Sequence, residues 1–147
     1  MELGTMANGE PAVIGTFEIR LEGEFDLAED DRLRDAFAVS QSSPIVVVNL
    51  EKTTYIDSTV LGCLVGLRNA TEQRGASLFL VGPHSDVLRL FEISGLREIF
   101  DIRTSLSKVP HVDIAELRRL TIEARPPRLH VETREPRLNG ATKYIDC

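Results

Sequence analysis

Tryptophan is absent from this chain of 147 residues, and aromatic residues make up only 5% of it. The core must therefore be aliphatic, and aromatic platforms on which nucleic-acid bases could stack are scarce. Only Cys63 and Cys147 are cysteines, which excludes a disulfide framework and the ligand spacing of a zinc site. No apolar run approaches the length of a bilayer span, and the N-terminal residues lack the features of a secretory signal. We therefore expect a cytoplasmic protein with no membrane partner.

The sequence also lacks the glycine-rich phosphate loops and the Gly-x-Ser-x-Gly elbow that mark several enzyme classes. His84, His111 and His130 are scattered, and none lies at ligand spacing from another metal-binding residue. Acidic runs such as residues 29–31 are typical of a solvated helix face rather than of paired catalytic carboxylates. These absences predict a protein that is not an enzyme and that holds neither a metal nor a cofactor.

The formal net charge of −6 argues against nucleic acid as the main partner. This charge is unevenly placed, because residues 110–147 carry six acids and seven bases and are close to neutral. Residues 1–11 contain glycine, asparagine and proline and are expected to form a flexible leader. Between these two segments, residues 12–109 have the composition of one globular domain.

Apolar periodicity in residues 12–109 alternates between that of strands and that of helices. Residues 45–48 form a continuous β-branched run, which is typical of a strand buried on both faces. The pattern predicts strands at residues 17–21, 45–48, 77–81 and 99–102, and helices at residues 28–40, 58–74 and 85–94. Residues 49–57 are predicted to be a polar connection. The expected architecture is an α/β domain with a mixed, mostly parallel sheet of four to five strands and about four helices.

The fourth helix is predicted in the C-terminal extension, at residues 113–125. Ile114, Leu117 and Leu120 would share one face of that helix, and two prolines follow it. The remaining residues are expected to be irregular, although residues 129–133 alternate as an edge strand would.

The most informative segment is residues 55–62, which follow the central strand and open a predicted helix. Asp57 is expected to be the N-cap of that helix, with Ser58 and Thr59 in its first turn. Two interpretations are open at this point. Either these residues only cap the helix, or a hydroxyl there is modified. A catalytic serine is disfavoured, because no histidine or lysine nearby could act as its base.

Three motifs occur in order along the chain: LEGEFD at residues 21–26, IDSTVLG at residues 56–62 and LFEISGL at residues 90–96. They resemble the L-x-G-E-[LF]-D, D-S-[ST]-G-L-G and L-F-x-x-[ST]-G-L elements of the STAS domain family, and in particular of bacterial anti-sigma factor antagonists. The resemblance implies a STAS-like domain over residues 12–109.

The resemblance also implies a function. The unphosphorylated protein would bind an anti-sigma factor with serine kinase activity and so free a sigma factor. Phosphorylation at Ser58 would abolish binding until a serine phosphatase reverses it. The sequence leaves open whether Thr59 also accepts a phosphate. The implied partner-binding residues are Asp26, Asp57, Ser58, Thr59, Val60 and Gly62.

One of these assignments has an alternative, and one residue departs from the family pattern. Asp26 would either contribute to the partner surface or simply cap the helix that follows it. Val60 stands where the family often has glycine, and we expect it to add bulk on the helix surface. Other STAS modules, namely a stress-complex scaffold or the cytosolic subunit of a lipid transporter, are the alternative for the whole chain. The serine after Asp57 favours the antagonist.

Overall fold

Residues 15–125 form six β-strands and three α-helices in a computed structural model of the chain. The structure describes residues 15–125. Three predictions lie outside this range: the leader at residues 1–11, the irregular tail after residue 125, and the strand at residues 129–133. The predicted α/β class is confirmed, with six strands instead of four to five and three α-helices instead of about four in this range. In chain order the elements are β1 (Thr16–Phe25), α1 (Asp30–Val39), β2 (Ile45–Asn49), β3 (Thr53–Ile56), α2 (Ser58–Gln73), β4 (Ser77–Val81), α3 (Ser85–Ile93), β5 (Asp101–Arg103) and β6 (Arg118–Glu123).

The strands form one sheet, in which β1, β2, β4 and β5 lie side by side in that order. Each step between these neighbours crosses over through one helix. Crossovers of the same hand that step in one direction place all their helices on the same face of the sheet. β3 and β6 complete the sheet by pairing with β1. Every strand pair within the described range is parallel, so the mostly parallel prediction holds and the mixed component is not seen there.

The main core lies between the sheet and the three helices, and it is largely aliphatic. Ile19 and Leu21 of β1 point to the helix face and are fully buried. Leu33 of α1, Leu64 of α2 and Phe91 of α3 are fully buried against that face. Burying a side chain of this size stabilises the fold by about 1.5–3 kcal/mol.

The other face of the sheet has a smaller apolar cluster and one buried carboxylate. Val47 packs there with Val109 from the segment after β5. The Glu18 side chain is fully buried, and it accepts hydrogen bonds from Asn49 Nδ2 at 2.7 Å and from the Arg119 guanidinium. Burial by itself would raise the pKa of Glu18, but these hydrogen bonds and the positive charge of Arg119 outweigh it and lower that pKa.

The polar connection predicted at residues 49–57 contains a strand, β3, so this prediction is wrong in its central part. Thr53 Oγ1 donates a hydrogen bond to the Leu21 carbonyl at 2.7 Å, where β3 meets the last part of β1. Gly23 has a φ of +110°, and the pairing register of β1 shifts there. A residue without Cβ adopts this conformation without strain, which lets β1 bulge and continue alongside β3.

The helix predicted at residues 113–125 is also wrong, since Arg118–Glu123 form β6. Ile122 is buried in the core at 6% exposure, whereas Ile114, expected on the buried helix face, is 64% exposed. The apolar spacing alone fits a helix, but Leu120 and Ile122 alternate as in a strand, and β1 offers an edge for pairing. As a strand, this segment pairs with the backbone N–H and C=O groups on one edge of β1. A helix here would leave those groups of β1 without partners from this segment. The sheet therefore continues past the predicted domain boundary at residue 109.

Candidate functional site

The first turn of α2 is organised by Asp57, the residue before the helix. Asp57 has extended backbone, and its Oδ1 accepts a hydrogen bond from the Val60 N–H at 3.0 Å. This is the geometry of an N-cap, and the predicted capping role is confirmed. Ser58 is consequently the first residue of the helix, where the backbone N–H groups and the helix dipole favour negative charge.

A second capped turn lies beside the first. Asp26 Oδ1 accepts a hydrogen bond from the Ala28 N–H at 2.9 Å, at the start of the 3₁₀ turn Leu27–Glu29 that leads into α1. The other oxygen of Asp57, Oδ2, accepts a hydrogen bond from the Leu27 N–H at 3.0 Å. Asp57 therefore joins the start of α2 to the turn before α1.

Strand register explains why the two turns meet. Phe25 at the end of β1 pairs with Ile56 at the end of β3 in a parallel arrangement. Asp26 and Asp57 are the next residues of the two strands, so both leave the sheet side by side at its carboxyl edge. This edge is where open α/β sheets usually carry their functional sites.

The predicted partner-binding residues do not all reach the surface. Ser58 and Gly62 are exposed, and Thr59 is half-buried. Val60 is fully buried in the main core, so the prediction that it lies on the helix surface is wrong. Helix geometry explains the difference, because the third residue of α2 points towards the sheet while the first and fifth point away from it. Val60 therefore supports the site from beneath.

Cys63 and Asp30 form a contact that the sequence did not predict. The Cys63 thiol donates a hydrogen bond to Asp30 Oδ1 at 2.9 Å, and Arg34 Nε also bonds the Asp30 carboxylate. Burial and the nearby Asp30 carboxylate raise the pKa of Cys63 to about 11. In return, the hydrogen bonds from Cys63 and Arg34 lower the pKa of Asp30. The thiol is therefore a donor that joins α2 to α1 at physiological pH.

Leu27 is the other residue at this edge that sequence reasoning missed. Its side chain is 67% exposed although the residue is apolar, and its backbone is bonded to Asp57. A lone leucine in a polar turn has no periodic signal by which the sequence could have indicated its position.

Within residues 15–125, no group of three or more His, Cys, Asp or Glu side chains is arranged to hold a metal ion. Over the same part of the chain, no helix has both the length and the apolar character needed to cross a membrane.

The fold and the site define a class of protein: a parallel sheet with its helices on one face, and an exposed serine that follows an aspartate cap. A family model described as the STAS domain matches residues 10–115 of this chain. The chain belongs to the STAS domain family, so the resemblance drawn from the three motifs is confirmed. β6 lies beyond the last matched residue.

Similar proteins share much of this domain. The chain is 32% identical over 88 residues to the anti-sigma-B factor antagonist of Staphylococcus aureus. The aligned part is 58% of this chain and 82% of that protein. It is 35% identical over 88 residues to the anti-sigma-B factor antagonist of Listeria monocytogenes, covering 58% of this chain and 77% of that protein.

Solved structures show the same fold. The Bacillus cell fate determinant SpoIIAA in its phosphorylated form superposes with a TM-score of 0.53 at 22% identity. The match covers 67% of this chain and 91% of the SpoIIAA chain. At this identity, the likeness establishes the fold alone.

Proposed function

We propose that this chain is an anti-sigma factor antagonist, a cytoplasmic binding protein rather than an enzyme. In this proposal its unphosphorylated form binds an anti-sigma factor with serine kinase activity and so frees a sigma factor for transcription. The observation that carries the proposal is the exposed Ser58, held at the first position of α2 by the Asp57 cap. Relatives named anti-sigma-B factor antagonists, which match 58% of the chain, support it.

Phosphorylation of Ser58 would act as the switch. A phosphate adds a charge of about −1.5 to −2 at neutral pH, together with a hydration shell. Asp57 is adjacent in sequence, and Asp26 leaves the sheet beside it. An already acidic surface would thus become more strongly anionic at its centre, and a partner surface fitted to the free hydroxyl would meet both repulsion and bulk.

The modified protein would keep its fold. The N-terminus of α2 tolerates a phosphate, because unpaired backbone N–H groups and the helix dipole favour an anion there. Asp57 is also held through both oxygens by the N–H groups of Leu27 and Val60, so it is not free to rearrange around a phosphate. We therefore expect the loss of binding to be local and reversible by a serine phosphatase.

The experiment uses the full chain and a kinase-type anti-sigma factor from the same genome. After incubation with ATP, mass spectrometry should find one phosphate on Ser58 in the wild type and none in Ser58→Ala. Titration calorimetry should show that Ser58→Ala binds as the wild type does, that Ser58→Asp binds at least tenfold more weakly, and that phosphatase treatment of the phosphoprotein restores binding.

The chain offers a matched control at Ser85. This residue is also exposed and also begins a helix, α3, but His84 precedes it in place of an aspartate cap. Ser85→Ala should be phosphorylated normally, and Ser85→Asp should bind normally. If the phosphate is found on Thr59 or elsewhere, or if Ser58→Asp binds as tightly as the wild type, the proposed switch is wrong.

A further inference from the structure

Strand β6 lies at one end of the sheet and is paired along one edge. Within residues 15–125, β1 is the strand that pairs with it, from Phe17 beside Arg118 to Glu22 beside Glu123. The outer edge of β6 therefore presents backbone N–H and C=O groups that no strand of this range pairs. Such an edge is a template for the backbone of another strand.

The features that usually keep an edge strand from pairing are few in β6. The strand has six residues, contains no proline, and pairs with β1 in an unbroken register. Proline, bulges and very short strands are the common protections of an edge. Strand β5, at the opposite end of the sheet, has only three residues and is protected in this way. β6 is therefore the end of the sheet that is suited to extension.

The side chains of β6 alternate between the two faces of the sheet. Leu120 and Ile122 point to the helix face, where Ile122 is buried in the main core and Leu120 is half-buried against it. Arg119, Thr121 and Glu123 point to the other face and are exposed. A partner strand must therefore offer apolar side chains on one face, and polar side chains of matching charge on the other.

A second copy of β6 meets both requirements in one antiparallel register. A two-fold axis through Thr121, perpendicular to the sheet, sets this residue opposite its own copy and keeps the helices of both copies on one face. Arg119 then lies opposite Glu123 of the second copy, and Leu120 lies opposite Ile122 of the second copy. Opposite charges, apolar pairs and threonine pairs at directly opposed positions all stabilise an antiparallel sheet.

Neighbouring registers lose this match. An axis at Leu120 sets Arg118 opposite Ile122 of the second copy, and an axis at Ile122 sets Arg119 opposite Arg125. Arg119 is also held in place by the bond from its Nε to the buried Glu18, and its guanidinium has further N–H donors. Less side-chain freedom is therefore lost when Arg119 pairs with a second carboxylate.

We propose that two copies of this chain pair through β6, antiparallel about Thr121, and so join their sheets into one. The occupant is a second copy because the charges and the apolar residues of β6 complement themselves in a single register. Pairing of six residues alone makes a small interface, so the association should depend strongly on concentration. The inference does not involve Ser58 and stands or falls independently of the proposed function.

Sedimentation of the full chain, over a concentration series that reaches the millimolar range, measures the association. Glu123→Arg puts two positive charges opposite each other at Arg119 and should weaken self-association at least tenfold. Glu98→Arg is the matched control, because Glu98 is exposed and precedes β5 at the other end of the sheet. This control should associate within twofold of the wild type, and circular dichroism shows that each variant is folded.

Two results of this series overturn the proposal. The first is a wild type that stays monomeric throughout, and the second is a folded Glu123→Arg protein that associates as the wild type does.

Cysteine cross-linking tests the register in a Cys147→Ser background. Thr121→Cys brings the thiols of the two copies to directly opposed positions, where the Cα atoms of antiparallel strands are about 4.5–5.5 Å apart, within reach of a disulfide. Glu123→Cys is the control, because this residue lies four positions, or roughly 13 Å, from its own copy. Mild oxidation should link Thr121→Cys at least tenfold faster than Glu123→Cys, and equal rates would show that the register is wrong.

Hydrogen exchange tests a different occupant, the chain's own residues 129–133, for which the sequence predicts an edge strand. If a second copy fills the edge, the amides of Arg118–Glu123 should become better protected as the concentration rises. Protection that is equal at every concentration, in a chain that stays monomeric, would assign the edge to the same chain and overturn the proposal.

Discussion

Leu27 and Asp57 come from different elements, and a single hydrogen bond of 3.0 Å joins the backbone N–H of the first to the carboxylate of the second. The other carboxylate oxygen of Asp57 caps α2 through the Val60 N–H. One side chain thus closes the serine turn and fixes it against the turn before α1. Two backbone segments beside Ser58 are therefore held by the same carboxylate.

Removing that carboxylate should lower the free energy of unfolding, because two turns at the carboxyl edge of the sheet lose a hydrogen-bond acceptor. Asp57→Ala leaves two N–H groups without their acceptor, so we expect a loss of about 1–3 kcal/mol in the free energy of unfolding, measured by urea titration. Asp57→Asn keeps one acceptor oxygen and should lose less. Asp26→Ala is the control, since the Asp26 cap serves only its own turn, and an equal loss in both alanine variants would contradict the bridging role.

Val60 should matter for stability and not for direct contact with a partner. Its side chain is fully buried, so Val60→Ala removes two buried methyl groups, and we expect a loss of about 1–3 kcal/mol in urea unfolding. Thr59→Ala, in the half-buried position next to it, should cost less. Binding of the folded Val60→Ala protein to an anti-sigma factor should stay near that of the wild type, and a stable variant that does not bind would return Val60 to the partner surface.

Substitutions of two isoleucines can distinguish the strand that the structure shows in the C-terminal extension from the helix predicted there. Ile122 of β6 is buried in the main core, and Ile122→Ala should cost about 2–5 kcal/mol. Ile114 is largely exposed, and Ile114→Ala should change stability by less than about 0.5 kcal/mol. Thermal melting of both variants measures this, and the reverse order would support a helix with Ile114 on its buried face.

The Cys63 thiol should resist alkylation. A pKa of about 11, against an ordinary value of 9.0, lowers the thiolate fraction at pH 8 on the order of 100-fold relative to the unfolded chain. Below pH 11, the iodoacetamide rate of a Cys147→Ser protein should therefore rise about tenfold per pH unit. Asp30→Asn removes the nearby negative charge and should speed the reaction, while Cys63→Ser in the same background reports background labelling. A fast reaction at pH 7 would show that the thiol is not held as the structure has it.

Local sequence patterns correctly predicted many of the helices, strands and caps of this protein. The predicted cap at Asp57 is correct because capping depends on residues within one turn of each other. The helices over residues 28–40, 58–74 and 85–94 match α1, α2 and α3 closely, because each buries one apolar stripe that the sequence displays. The β-branched run at residues 45–48 forms the buried strand β2, because a continuous apolar run suits a strand that is covered on both faces.

Non-local contacts explain where local reasoning failed. Thr53–Ile56 is a strand because the end of β1 lies beside it, and Arg118–Glu123 is a strand because the other edge of β1 accepts it. Both segments depend on pairing with residues about 30 and 100 positions away in the chain. Val60 was misplaced in a related way, because the rotation of α2 about its axis is set by the sheet beneath it and not by the residue type.

The sequence by itself determined the class of fold, the three family motifs and the position of Ser58 at the start of a helix, because these follow from composition and from spacing within a few residues. Only the tertiary structure decided that Asp26 and Asp57 leave the sheet together, that Cys63 donates to Asp30, and that β6 lies at one end of the sheet beside β1. Each of these depends on how helices and strands pack, and packing brings together groups that no local pattern connects.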